Sequence, residues 1–225
     1  MSIFGILIME TATDTYLTVR GEAQAQFVEQ RSRFISFIWH VTDTDDVKEH
    51  MAVLQKEYYD ARHVCYAYML GAERTDWRAN DNGEPSGTAG KPILGQINSA
   101  GLSDVLIAVV RYFGGVKLGT SGLTEAYRLA AAQAIEKAEI VTAYVERNVT
   151  VLFTYNMTSV VMKAVKDLDV QIMRQDYGSF MTEGCDRAFE CKSVFRARLS
   201  VADEFESRLT AVADTQAVKE LKIEK

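Results

Sequence analysis

The sequence predicts an α+β fold divided into two domains, and three observations carry that prediction. Segments of strand period alternate with segments of helical period from Tyr16 onward. One stretch, "DVLIAVVRYF" from Asp104, is an almost unbroken apolar run of the kind covered on both faces. Near residue 142 the pattern restarts and runs strand–helix–strand–strand–helix–strand, the ferredoxin-like order. The domains that follow are a lead over residues 1–16, a first domain over 17–141 and a second over 142–225.

The elements follow in order. "YLTV" and "EAQAQFVE" read as short strands. In "RFISFIWHV", Ile35, Phe37, Trp39 and Val41 alternate with Phe34, Ser36, Ile38 and His40, so both faces are apolar and the strand is central. A helix follows with Asp43 or Thr44 as its cap and Val47, Met51, Leu54 and Tyr58 as its stripe. "HVCYAYML" is strand, and "PILGQINSAG" is a short helix opened by Pro92 and stopped by Gly101. After "DVLIAVVRYF" comes the alanine-rich helix "SGLTEAYRLAAAQAIEKA", with Thr120 or Ser121 as its cap. The second domain reads as strand "AYVERNVTVLFTY" and then a helix capped by Asn156 that carries Val160, Val161, Ala164, Val165 and Leu168. Strands "VQIMRQDY" and "AFECKSVFRARLS" are joined by "GSFMTEGCD". A helix opened by Ser200 and Asp203, with Val201, Phe205, Leu209 and Val212 on one face, leads to a last strand, "AVKELKI".

Composition narrows the function classes. With 48% hydrophobic and 25% charged residues the chain is of ordinary globular make-up. Two prolines and no low-complexity tract argue against long disorder. The formal net charge of −6 argues against a general polyanion binder, so any RNA contact must come from a local patch. Three cysteines (Cys65, Cys185 and Cys191) without a CxxC pair suit a reducing cytoplasm rather than a disulfide framework. The opening "MSIFGILIME" has no basic leader and is too short to span a bilayer, and Met9 is read as the true start.

Two glycine-rich stretches stand out: "DNGEPSGTAGKP" (81–92) and "RYFGGVKLGTSGL" (111–123). Neither is a Walker phosphate loop, because Gly90-Lys91 is followed by Pro92 and Pro85 stands at the first glycine's place. Neither gives G-x-G-x-x-G. Both end at a predicted helix N-terminus, where unbonded N–H groups and the helix dipole favour an anion. Lys91, Lys117, Thr120 and Ser121 lie in these stretches, and Arg111 ends the strand before the second. Against this stands the plain reading that the glycines permit turns and close packing.

The wording of these stretches, "DNGEPSGTAGKPIL" and "VVRYFGGVKLGTSGL", with "RHVCYAY" upstream, resembles the signature blocks of the YigZ/IMPACT family. The resemblance spans nearly the whole chain. It implies a first domain like the second domain of ribosomal protein S-five, and a ferredoxin-like second domain like the last domain of elongation factor G. It also implies a link to translation or RNA. The eukaryotic relatives bind a co-activator of the kinase that phosphorylates an initiation factor, partly through another N-terminal domain. No catalytic residues and no cofactor come with the resemblance. The positions matching its motifs include Asp81, Glu84, Thr88, Lys91, Arg111 and Lys117.

Two functions are therefore weighed. The first is a non-enzymatic protein bound to RNA or to a ribosome-associated partner. Its binding surface is expected at Asp81, Glu84, Ser86, Thr88, Lys91, Arg111, Lys117, Thr120 and Ser121. A second surface is offered by Lys192, Arg196 and Arg198, which share one sheet face with no aromatic beside them; a solvated face is the blander reading. The alternative is an enzyme or binding protein for a phosphate-containing small molecule, with Asp81 and Glu84 as acids or metal ligands and Lys91, Arg111 and Lys117 holding charge. His63 and Cys65 share a strand face but lack further ligands, so no metal site is expected, and no membrane partner either.

Overall fold

The computed structural model describes residues 14–181, 188–215 and 221–224. The expected start at Met9, Cys185 and part of the last predicted strand lie outside the described residues. The chain divides into two compact units, Thr15–Ala143 and, with Asp14, the part from Tyr144 onward.

The first unit is built on five antiparallel strands in the order β2-β3-β6-β4-β5. They are β2 (Glu22–Glu29), β3 (Ser32–His40), β4 (His63–Leu70), β5 (Asp76–Asn80) and β6 (Val105–Tyr112). The β2–β3 hairpin turns through Gln30 and Arg31, both in left-handed backbone (φ 45° and 66°). β6 is central, and its alternate side chains feed two cores. Val105, Ile107 and Val109 pack with helices α2 (Gly90–Ser99) and α3 (Gly119–Lys137). Leu106, Ala108 and Val110 pack with α1 (Thr44–Glu57) on the other face. A sheet covered on both sides explains the unbroken apolar run of β6. β1 (Thr15–Arg20) pairs with β7 (Glu139–Tyr144) outside this sheet.

The second unit has the strand order β11-β8-β10-β9, all antiparallel. Its strands are β8 (Glu146–Phe153), β9 (Gln171–Phe180), β10 (Phe189–Arg198) and β11 (Leu221–Glu224). Helices α4 (Thr158–Asp167) and α5 (Leu199–Thr215) cover one face, where Phe153, Val161, Phe195, Phe205 and Leu209 form the core. The two units together make an α+β two-domain fold. Among the described residues no helix is long and apolar enough to cross a membrane.

Several expectations are corrected. β5 and β7 are strands that the periodicity did not mark. Of the two caps expected for α1, Asp43 is the one found, accepting from the N–H groups of Asp45 and Asp46. α3 has no side-chain cap: Gly119, in left-handed backbone at φ 72°, makes the turn into the helix and leaves Thr120 and Ser121 inside the first turn. Asn156 likewise sits in a 3-10 turn (Tyr155–Met157) ahead of α4, so it caps nothing.

Candidate functional site

The first glycine loop leaves β5 at Asn80 and enters α2 at Gly90, and Asp81 closes it. One Asp81 carboxylate oxygen accepts the Gly87 N–H at 2.7 Å; the other accepts those of Ala89 (2.9 Å) and Gly90 (2.8 Å). The α2 N-terminus expected to hold a ligand anion is thus occupied by the chain's own carboxylate. Burial acts to raise the Asp81 pKa, but the three N–H donors, helped by Lys91, outweigh it and hold the carboxyl below its ordinary value. Gly90 lies against the β5 backbone, where an added Cβ would stand 2.5 Å from the Asn80 nitrogen. Thr88 is buried and donates its hydroxyl to the Pro85 carbonyl at 2.6 Å. Ser86 and Lys91 are exposed.

Glu84 and Arg111 meet inside the protein. Arg111 Nη1 donates to Glu84 Oε1 at 2.6 Å, with side-chain exposures of 7% and 3%. The same Glu84 oxygen accepts the Tyr127 hydroxyl at 2.9 Å. The Cys65 thiol lies 3.3 Å from that hydroxyl and 2.9 Å from the Asp81 carbonyl oxygen. The other arginine nitrogen, Nη2, reaches Ser32 Oγ at 3.4 Å. A carboxylate, a guanidinium, a phenol and a thiol therefore form one buried network tying the first loop to β6, the strand that leads into the second. Burial pushes the Cys65 thiol up to about 12, so it stays protonated. Burial also raises the Tyr127 phenol.

The second loop is arranged differently. Ser32 Oγ accepts the Gly114 N–H at 3.2 Å, and Gly114 lies so close to the hairpin that a Cβ would stand 2.0 Å from the Arg31 carbonyl carbon. Beyond that anchor the loop faces solvent: Phe113 is 56% exposed and Val116 40%, and Lys117, Thr120 and Ser121 are exposed beside them.

The expected residues thus separate into two sets. Asp81, Glu84, Thr88 and Arg111 turn inward as framework, whereas Ser86, Lys91, Lys117, Thr120 and Ser121 face out. Sequence reasoning missed Tyr127 and Ser32. Tyr127 had a legible signal, a lone phenol on the alanine face of α3 that needs a buried partner. Ser32 had none.

On β10 the alternation is as expected: Cys191, Ser193, Phe195 and Ala197 point into the core. Lys192, Arg196 and Arg198 take the other face. Arg196 lies 3.8 Å from Glu146. Arg198 stacks over the Tyr144 ring at 3.8 Å, which corrects the reading that no aromatic accompanies these cations. Among the described residues no cluster of three or more His, Cys, Asp or Glu side chains is placed to hold a metal.

The pattern of the Impact N-terminal domain matches residues 30–135. IMPACT family member YigZ of Escherichia coli is 32% identical over 68% of this chain and 76% of its own length. An IMPACT family member of Haemophilus influenzae is 34% identical over 72% of this chain and 80% of its own. The chain belongs to the IMPACT family. Another member, YvyE of Bacillus subtilis, is 40% identical, the match spanning 50% of this chain and about half (52%) of that protein. The crystal structure of a hypothetical protein matches at TM-score 0.68 and 25% identity, covering 94% of this chain and 97% of that one. The two-domain translational regulator Yih1 matches at TM-score 0.31 and 21% identity, covering 52% of this chain and 46% of that one, too slight a likeness for a structural argument. The IMPACT-family match covers both glycine loops and the buried network between them.

Proposed function

We propose that this IMPACT-family protein is a non-catalytic, translation-linked binding protein whose ribosome-associated partner docks on the second glycine loop and the start of α3. The observation that carries the reading is the division of the charged groups. Those that could do chemistry, Glu84 and Arg111, neutralise each other in the interior. What remains outside is an aromatic and an aliphatic side chain beside Lys117, Thr120 and Ser121, on a backbone anchored at Gly114. An exposed aromatic within a polar rim on a fixed frame suits docking better than turnover. The translational link is supported by membership of the IMPACT family and by what the family resemblance implies.

Ribosome co-sedimentation at low and at raised salt tests this. The native protein should pellet with ribosomes at moderate salt, and Phe113→Ala with Lys117→Ala should return it to the top of the gradient. Native protein that stays at the top at both salts overturns the reading.

The small-molecule alternative loses half its cradle, since Asp81 fills the α2 N-terminus and Glu84 holds Arg111. Calorimetric titration with nucleotides and sugar phosphates should give no heat. For RNA on the second unit, replacing Lys192 and Arg196 with Ala should flatten the salt dependence of binding; an unchanged slope removes that face.

A further inference from the structure

The opposite face of the first unit carries a groove of about 380 Å³ between the β2–β3 hairpin and α1. It is distinct from the glycine-loop surface, and neither the motifs nor the proposed function uses it. Its floor is aromatic. Phe37 and Trp39 alternate on β3 with ring centroids 5.4 Å apart, and His50 of α1 stacks on Trp39 at 4.8 Å. Glu22 and Gln24 of β2 stand directly across from Trp39 and Phe37, so they share that face. On α1 the groove is lined by His50, Leu54 and Glu57, spaced at one helical face.

The charge is one-sided. Among the described residues, Glu22 and Glu57 line the groove and no lysine or arginine does. Arg33 of β3 lies instead over the Tyr112 ring, 4.5 Å from its centroid. Lys48 of α1 is bound to Asp45 at 2.7 Å. The Glu22 carboxylate is held in place, since its Oε2 accepts the Trp39 indole N–H at 2.9 Å. Trp39 is 7% exposed, so the ring within reach of a ligand is the half-buried Phe37; an aromatic surface flanked by carboxylates attracts a cation whose alkyl stem can lie along it. Beside this groove, β2 is an end strand of the sheet, pairing in it, among the described residues, with β3 alone. An end strand offers its outer N–H and C=O groups to an extended chain, and alternate side chains of that chain fall on one sheet face.

We propose that the groove receives an arginine or lysine side chain from an extended basic segment of a partner protein, which pairs along the outer edge of β2. Backbone pairing supplies the register, and the Glu22, Glu57 and aromatic constellation selects the cation.

The test uses the full chain carrying Trp77→Phe, which leaves Trp39 as its one indole. The ¹H–¹⁵N NMR signal of the Trp39 indole N–H is followed during titration with a capped Thr-Val-Arg-Val-Thr peptide. A saturable shift is expected, with the Leu-for-Arg peptide and free arginine amide each roughly tenfold weaker. Glu22→Gln with Glu57→Gln keeps an acceptor for the indole and should weaken the arginine peptide roughly five- to tenfold, the indole signal staying in its folded position. No shift, equal binding of the leucine peptide or of free arginine amide, or undiminished binding by the Gln variant overturns the proposal. So does concentration-dependent dimerisation through β2, which would give that edge to a second copy.

Discussion

The two glycine loops are alike in composition and opposite in construction. The first is held from within: its acid accepts three backbone N–H groups, its threonine bonds to its own loop, and its second acid is buried against an arginine. The second is pinned at Gly114 and otherwise turned to solvent. Glycine content does not distinguish them. What does is where the polar side chains go, because a loop whose acids are consumed by its own backbone has none left for a ligand. The first loop is therefore the foundation and the second the surface it supports.

The sharpest way to break this division is within the second loop itself. Gly114→Ala would place a methyl group 2.0 to 2.4 Å from backbone atoms of Arg31 and Ser32, where no flexible side chain can move aside. It should destabilise the first unit by on the order of 4 kcal/mol or more, or prevent soluble expression. Gly115→Ala next to it meets nothing within 4 Å and has only its left-handed φ of 86° to overcome, so about 1–2 kcal/mol is expected. Urea unfolding of the two variants measures the gap; equal losses would show that the hairpin contact does not anchor the loop.

Next in size is the buried pair. Glu84→Ala strands the Arg111 guanidinium in the interior and removes the acceptor of the Tyr127 hydroxyl, for an expected loss of about 3–5 kcal/mol. Glu84→Gln keeps an oxygen for both donors and should lose less. A thermal scan in which Ala and Gln variants melt together with wild type would mean that the network is not part of the foundation.

Asp81 sharpens the comparison through pH. Its folded pKa lies below the ordinary 3.8, so its contribution is present in full above that value and fades as pH falls through the lower folded value. Asp81→Asn should cost about 1–2 kcal/mol at neutral pH, in the range of a lost helix cap. The difference from wild type should narrow in acid. A gap that stays constant down to pH 2 would separate Asp81 from acid sensitivity.

Much of the fold was legible, and the misses have physical causes. β6 and β3 announce themselves because strands buried on both faces must be apolar throughout. β5 does not: "DWRAN" is an exposed end strand, paired among the described residues on one side only, and holds its place by backbone bonds to β4 rather than by side-chain pattern. The expected caps Thr120 and Asn156 failed because polar residues near a helix start are common, while the residue that made the α3 turn was a left-handed glycine. At the site, the residue types were legible and their direction was not. Glu84 and Lys117 look equally available in sequence. Only the arrangement of Tyr127, Cys65 and Ser32, drawn from distant segments, shows that the first is buried and the second exposed.

The smallest expected change in stability belongs to the surface itself. Phe113 is 56% exposed, and its ring is 5.7 Å from the Arg111 guanidinium carbon, so truncating it removes little buried area and one loose cation–π contact. Phe113→Ala should lie within about 0.5 kcal/mol of wild type in urea unfolding. If it nonetheless abolishes ribosome association, binding and folding have been separated in neighbouring residues, Phe113 serving the partner and Gly114 the fold. A loss of stability comparable to that of Glu84→Ala would instead make Phe113 the outer wall of the Arg111 network, and the exposed surface would begin at Val116.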